Sequence, residues 1–271
     1  MPARTKLPPL RALFSESWGL YRQRFTTLVA IIVVPTAVGF AGLLLMPVLV
    51  PLALAVFILA IAFYLAMVVA LAHALDNPAA NPLTAYRFAF RRLHSYLWLT
   101  ILGNFITVGA LLLAVIPGIL VSVWFIFSLF TFAFEGRRGM DAFLASREYV
   151  RDYWWAVFGR FLLGALLLGV VGGIINGVAS AFGQSSDPTL TETIIQAVFG
   201  VLVAPLFAAY HYRLFNHVRA VKGVLPAGPV PAKRGFFIFC GIFGVVAPIL
   251  IVLLAGTVIV AGLVGFLLDK G

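Results

Sequence analysis

The stretch LWLTILGNFITVGALLLAVIPGILVSVWFIFSLFTFAFEGRR, Leu97 to Arg138, decides the fold. Between Leu97 and Phe134 it holds no Asp, Glu, Lys or Arg, and it is long enough for two membrane-spanning helices of roughly 20 residues each. Ile116-Pro117-Gly118-Ile119 reads as an uncharged turn between them. Arg91 and Arg92 precede the first run, and Arg137 and Arg138 close the second. The pattern is a helical hairpin with both feet in basic segments and an apolar tip.

Working outward, the same pattern covers the chain. Of 271 residues 63% are hydrophobic and 10% charged, which is too apolar for a water-exposed surface, so the solvent is lipid. Apolar runs fall at 25–50, 52–75, 97–116, 119–134, 154–182, 191–212 and 236–268. The expectation is an all-α, polytopic transmembrane bundle of about seven spans. It divides into an N-terminal segment with an amphipathic helix (1–24), a six-span domain (25–220), a Pro/Gly-rich linker (221–235) and one additional span (236–271). The first run lacks a small-residue cleavage pattern, so it reads as a retained span.

Charge gives the orientation. Arg4, Lys6, Arg11, Arg22 and Arg24 precede the first run, and Arg87, Arg91 and Arg92 follow the second. Arg137, Arg138, Arg147, Arg151 and Arg160 lie between the fourth run and the start of the fifth, and Arg213, Arg219, Lys222, Lys233 and Arg234 follow the sixth. Only Lys270 breaks the rule that cations stay on the cytoplasmic side. The N-terminus is therefore expected inside and the C-terminus outside. The net charge of +10 is juxtamembrane, which argues against nucleic acid as a partner. The last run is long for one span, and a tilted helix kinked at Pro248 competes with a hairpin turning near Pro248 or Gly256.

Each long basic connector carries an amphipathic helix before spans 1, 3 and 5. Leu10, Phe14, Trp18, Tyr21 and Phe25 recur at helical spacing. Tyr86, Phe90, Leu93 and Leu97 repeat the pattern after the capping pair Asn81-Pro82, and Phe143, Val150 and Trp154 make a third copy. Setting Ser17, Ala89 and Ser146 in register aligns the three, which reads as a threefold repeat of interfacial helix plus hairpin, with one span appended.

The residues Ile116-Pro117-Gly118-Ile119, Trp124, Phe134-Glu135-Gly136, Ala142, Ser146, Val150-Arg151 and Trp154-Trp155-Ala156-Val157-Phe158-Gly159 carry a resemblance. Over most of residues 10–220 the chain resembles the membrane domain found with some bacterial glycerophosphodiester phosphodiesterases, and its stand-alone relatives. The resemblance implies about six spans in a bacterial inner membrane. This chain departs from it by a seventh span and has no soluble phosphodiesterase barrel, so the enzyme's activity does not carry over.

No catalytic constellation is visible. His73, His94, His211 and His217 form no HExxH pattern and read as interfacial, the nine acids lie at span ends or in connectors, and no serine stands in a GxSxG context. Cys240 is the single cysteine, which excludes an intramolecular disulfide and a paired-cysteine zinc site, and no cofactor is implied. Asn104, Asn176 and Gln196 within apolar runs read either as interhelical hydrogen-bond partners or as the lining of a polar cavity. Gly169, Gly173 and Gly177, in a stripe of small residues from Ala165 to Ala181, read as a helix-packing groove, within one chain or between two. Arg160 is expected to reach headgroups beside Trp154 and Trp155. Arg22, Arg91, Arg92, Arg147 and Arg151 are the candidate lipid-headgroup residues.

The functional expectation is a non-enzymatic membrane module engaged with membrane lipids, anionic ones first, or with a membrane-protein partner or a second copy of itself. A transporter or lipid translocase built around Asn104, Asn176 and Gln196 is the alternative.

Overall fold

The computed structural model describes residues 7–182, 190–226 and 234–269. Its elements are α1 (Leu10–Leu45), α2 (Val50–Asp76), α3 (Pro82–Leu113), α4 (Val115–Trp124), α5 (Ser128–Glu135), α6 (Met140–Val150), α7 (Trp154–Phe182), α8 (Leu190–Lys222) and α9 (Gly235–Asp269). A single 3-10 turn, Arg151–Tyr153, joins α6 to α7. The fold is all-α, with no strand among the described residues, and seven helical segments are long and apolar enough to cross a membrane. One of them is α4 and α5 taken together, and another runs from α6 into α7.

Local signals explain several boundaries. Asn81 caps α3 in a reciprocal box, its side chain accepting from Thr84 N at 2.8 Å while Thr84 Oγ1 accepts from Asn81 N at 3.0 Å, with Pro82 at the first position. The turn after α3 lies earlier than the Ile116–Ile119 stretch. Ala114, extended at φ −171°, ψ 158°, makes the break. Pro117 falls in the first turn of α4, where its missing N–H costs nothing. The amphipathic segments before spans 1 and 3 are no separate helices, for α1 and α3 run through them unbroken, so residues 24 and 25 mark no boundary. Residues 227–233 of the Pro/Gly linker lie outside the described part.

Three antiparallel hairpins, α1–α2, α3–α4 and α7–α8, pack side by side, α2 against α3 and α8 against α1. Helices α5 and α6 fill the junction between the second and third hairpins, and α9 lies against α3. The register seen in the sequence reappears in burial: Leu13, Ala85 and Ala142, and four residues on Ser17, Ala89 and Ser146, are all at or below 1% exposure. Buried side chains gather towards the basic end, where Ala66 to Leu75 of α2 and Ala209 to Val218 of α8 meet α5 and α6. Leu54, Ile58 and Ile61, nearer the other end of α2, are exposed, as a lipid-facing surface would be.

Proline-broken backbone is satisfied from neighbouring helices. Pro35 inside α1 deprives Ile31 O of its helical partner, and the buried Tyr86 hydroxyl of α3 donates to that carbonyl at 2.6 Å. In α8 Pro205 leaves Val201 O without its helical partner, and Tyr21 of α1 donates to the next carbonyl, Leu202 O, at 3.0 Å. The basic residues do comparable work at helix ends: Arg24 donates to Ala74 O and Asn77 O at the C-terminus of α2, at 3.2 and 3.0 Å.

Two expectations about the spans resolve differently. Helix α9 is one continuous helix containing Pro248, roughly 52 Å long at 1.5 Å per residue, and no hairpin forms. It meets α3 backbone to backbone, since a Cβ at Gly109 would overlap the Cys240 carbonyl and one at Gly244 the Phe105 carbonyl. The groove of Gly169, Gly173 and Gly177, by contrast, packs against nothing among the described residues. All three are exposed and a Cβ on any of them meets no atom within 4 Å. Helix α7 turns a different face to α8, with Gly164 against the Tyr210 ring and Gly172 against Phe199. The stripe thus lies about one residue, some 100°, round from the contact face.

Candidate functional site

The fourth span is broken at Phe125–Phe127, between α4 and α5. A break in apolar surroundings leaves backbone groups to be satisfied, and one side chain does so twice. Ser146 of α6 donates its hydroxyl to Trp124 O at 2.5 Å and accepts from Phe127 N at 3.0 Å. Thr131 adds a bond from its hydroxyl to Ala142 O at 2.9 Å. Helix α6 reaches this position because Gly136 and Gly139, at φ +67° and +50°, turn the chain in a conformation that costs glycine little. Ala142 to Ser146 are consequently buried, as are Tyr149 and Val150. The third amphipathic segment is therefore a helix packed into the bundle, with Phe143 and Val150 facing protein rather than the acyl boundary.

This placement delivers two arginines one turn apart. The Arg147 guanidinium lies 4.9 Å from the Trp124 ring and 5.7 Å from that of Phe237, and makes no ion pair among the described residues. Its Nε is buried without a hydrogen-bond partner. Arg151 is exposed, 3.5 Å from Glu148 and 3.9 Å from Asp152. The start of α7 adds an aromatic cluster: Trp154 stands edge-on to Trp155 at 4.7 Å and stacks on Phe158 at 5.0 Å. Trp155 is 78% exposed, and the buried Trp154 Nε1 has no hydrogen-bond acceptor.

Between α4 and the beginning of α7 lies a crevice of about 870 Å³, which Arg151 lines and Arg147 does not. Ile119, Leu120, Trp124, Trp154 and Phe158 form its apolar wall, and Arg151 and the Lys222-paired Asp152 stand at its polar edge. It opens along the seam where the second and third hairpins meet.

A second cluster holds the basic end together. Glu135 is almost fully buried, bonded by Arg137 Nε at 3.0 Å and the Tyr149 hydroxyl at 2.6 Å, with Arg219 Nε at 3.6 Å. Arg137 also donates to Pro226 O at 2.9 Å, and Tyr149 accepts from Leu225 N at 3.2 Å. Lys222 pairs with Asp152 at 2.9 Å and donates to Glu148 O. Glu135 stands at the end of its span, as expected of the acids, but it is buried there, a single carboxylate and not one of a pair. A buried carboxylate needs its charges and hydrogen bonds supplied, and here two arginines and a tyrosine supply them. Its signal in the sequence is slight, an acid directly after an apolar run with Gly136-Arg137 behind it.

The remaining sequence-derived residues do not converge. Arg22 and Arg91 are exposed on α1 and α3, whereas Arg92 donates to Ala133 O at 3.3 Å, capping α5, and lies over Phe88. Of the five arginines, Arg151 lines the crevice and Arg147 touches its wall residue Trp124. Arg160 bonds Ala156 O and Pro8 O, at 3.0 and 2.9 Å, tying α7 to the chain preceding α1 rather than reaching out to headgroups. Asn104 donates to Thr100 O of its own helix, facing α5 and α6, and Gln196 is exposed on α8. The two stand on different helices, α3 and α8, and the Asn176 side chain lies outside the described residues. Among the described residues no three His, Cys, Asp or Glu side chains come together.

Fold and crevice define an integral, multi-pass α-helical membrane protein with a lateral opening between two of its hairpins. No family model, curated protein or solved structure matches the chain.

Proposed function

We propose that the protein is a non-enzymatic membrane module that holds an anionic glycerophospholipid in the crevice between α4 and α7. One observation carries this reading: an apolar crevice of about 870 Å³ has Arg151 at its edge, beside an Asp152 already paired with Lys222, and Arg147, without an ion pair among the described residues, lies one turn away against the Trp124 ring. Acyl chains gain from burial against Ile119, Leu120 and Phe158. The phosphate gains from the two cations, each contributing roughly 1 kcal/mol near an anionic headgroup. Acceptor oxygens at the glycerol ester suit the partnerless indole N–H of Trp154.

The segments that carry the resemblance to the phosphodiesterase-associated membrane domain support the same reading. Ile116, Ile119, Trp124, Arg151, Trp154, Trp155 and Phe158 lie far apart in sequence and line this one crevice. The proposed setting is a bacterial inner membrane with the N-terminus and the basic end in the cytoplasm, so that the arginines meet inner-leaflet headgroups. A transport path through Asn104, Asn176 and Gln196 has no comparable support, because Asn104 is bonded within its own helix.

Native mass spectrometry of the detergent-purified protein, delipidated and supplied with equal phosphatidylglycerol and phosphatidylethanolamine, tests the reading. The parent should retain phosphatidylglycerol preferentially, and Arg147→Gln with Arg151→Gln should weaken that retention roughly tenfold. Equal retention by parent and double variant would refute it.

A further inference from the structure

A separate cavity of about 300 Å³ is lined by residues of α2, α5, α7 and α8 and by Ile126 of the break before α5. Its lining is apolar apart from one side chain. Leu71, Leu129, Phe130, Phe161 and Phe207 contribute walls, and His211 of α8 is the exception. The His211 ring sits edge-on to Phe207 at 3.9 Å and 5.3 Å from Phe161.

The histidine's hydrogen bonding is half complete. Nδ1 lies 2.9 Å from Phe207 O, and since a carbonyl can only accept, Nδ1 carries the hydrogen. Among the described residues no carboxylate pairs with this ring, and in a neutral imidazole Nε2 is then an acceptor. Nε2 is buried and has no donor. An ionisable residue left unsatisfied among spanning helices is costly, and such residues mark functional positions in membrane proteins. Water is a poor remedy, because a buried water needs two to four polar partners and the other lining side chains offer none.

We propose that this cavity binds an apolar, ring-containing molecule with a single hydroxyl group, whose proton is accepted by His211 Nε2. A dry cavity of about 150 Å³ accommodates one benzene ring, so a space of about twice that size suits a two-ring body. The phenylalanine walls offer edge and face contacts to such rings. A hydroxyl supplies the one donor required, and a ligand without it leaves Nε2 as unsatisfied as before. The site is distinct from the crevice at Arg151, and either could fail without the other.

The probes are 2-naphthol and naphthalene, which differ by that hydroxyl, titrated into the purified full-length protein in detergent against a protein-free detergent blank. The parent should bind 2-naphthol about tenfold more tightly than naphthalene, the scale of one hydrogen bond in a desolvated site. His211→Phe should bind the two alike, and Ala208→Leu, which keeps the histidine and fills the cavity, should bind neither. Equal affinity of the parent for both probes, a preference that survives His211→Phe, or undiminished 2-naphthol binding by Ala208→Leu would each overturn the proposal.

Discussion

Single residues repair the backbone where the helices break. Ile31 O, stripped of its partner by Pro35, depends on a hydroxyl 55 residues away in sequence, that of Tyr86. Tyr86→Phe should lower stability by about 1–3 kcal/mol, the cost of leaving a buried carbonyl unmet, as measured by denaturant unfolding in detergent. A contrast between equivalent positions is sharper. Ser17 and Ser146 are both buried and occupy the same place in the threefold register, but Ser17 donates to Leu13 O of its own helix while Ser146 bridges Trp124 O and Phe127 N across a break. Ser146→Ala should cost about 2 kcal/mol and Ser17→Ala a few tenths, because Leu13 O keeps its helical partner. The sequence announces both prolines and both serines. It does not announce their partners, since a lone carbonyl has no signature and a break at Phe125–Phe127 contains neither Gly nor Pro.

At the scale of elements, glycines show how far pattern reading reaches. Gly169, Gly173 and Gly177 make a regular stripe, yet the α7–α8 contact uses Gly164 and Gly172. Spacing identifies a face that is able to pack, and the neighbour's position decides whether it does. Gly109 and Gly244 stand in no such stripe, and they are where α9 and α3 touch backbone to backbone. Gly109→Leu should therefore loosen α9 from α3 and lower the melting temperature markedly, whereas Gly173→Leu should melt within a degree or two of the parent. The reverse order would mean that the exposed stripe bears an interface. Helix α6 teaches the same lesson, for its amphipathic pattern was legible while its burial against the broken span was not. The pattern is satisfied equally by a membrane surface and by a protein groove.

For the whole molecule, the number of spans and the helical class were legible because hydrocarbon thickness fixes segment length and leaves the backbone no alternative to the helix. Charge predicts the topology, and a reporter fused after Gly271 should be active only outside the cytoplasm, with cytoplasmic activity contradicting the seven-span path. The crevice was not legible in the same way. Its walls come from residues 116–124 and 151–158, and their meeting depends on α6 folding back at Gly136 and Gly139. Charge predicts that all the candidate arginines lie at one end, and the fold back through α6 sets Arg151 at the apolar opening with Arg147 one turn away against Trp124.

The lipid crevice is tested most directly by photo-crosslinking. A phosphatidylglycerol with a diazirine in its acyl chain is incorporated into membranes containing the protein, irradiated, and its adducts located by peptide mass spectrometry. Adducts should concentrate on peptides spanning Ile116–Trp124 and Trp154–Phe158 and fall when Arg147 and Arg151 are both glutamine. Adducts spread evenly over the exposed faces of α2, α7 and α9, and unchanged by that double substitution, would contradict the crevice as a lipid site.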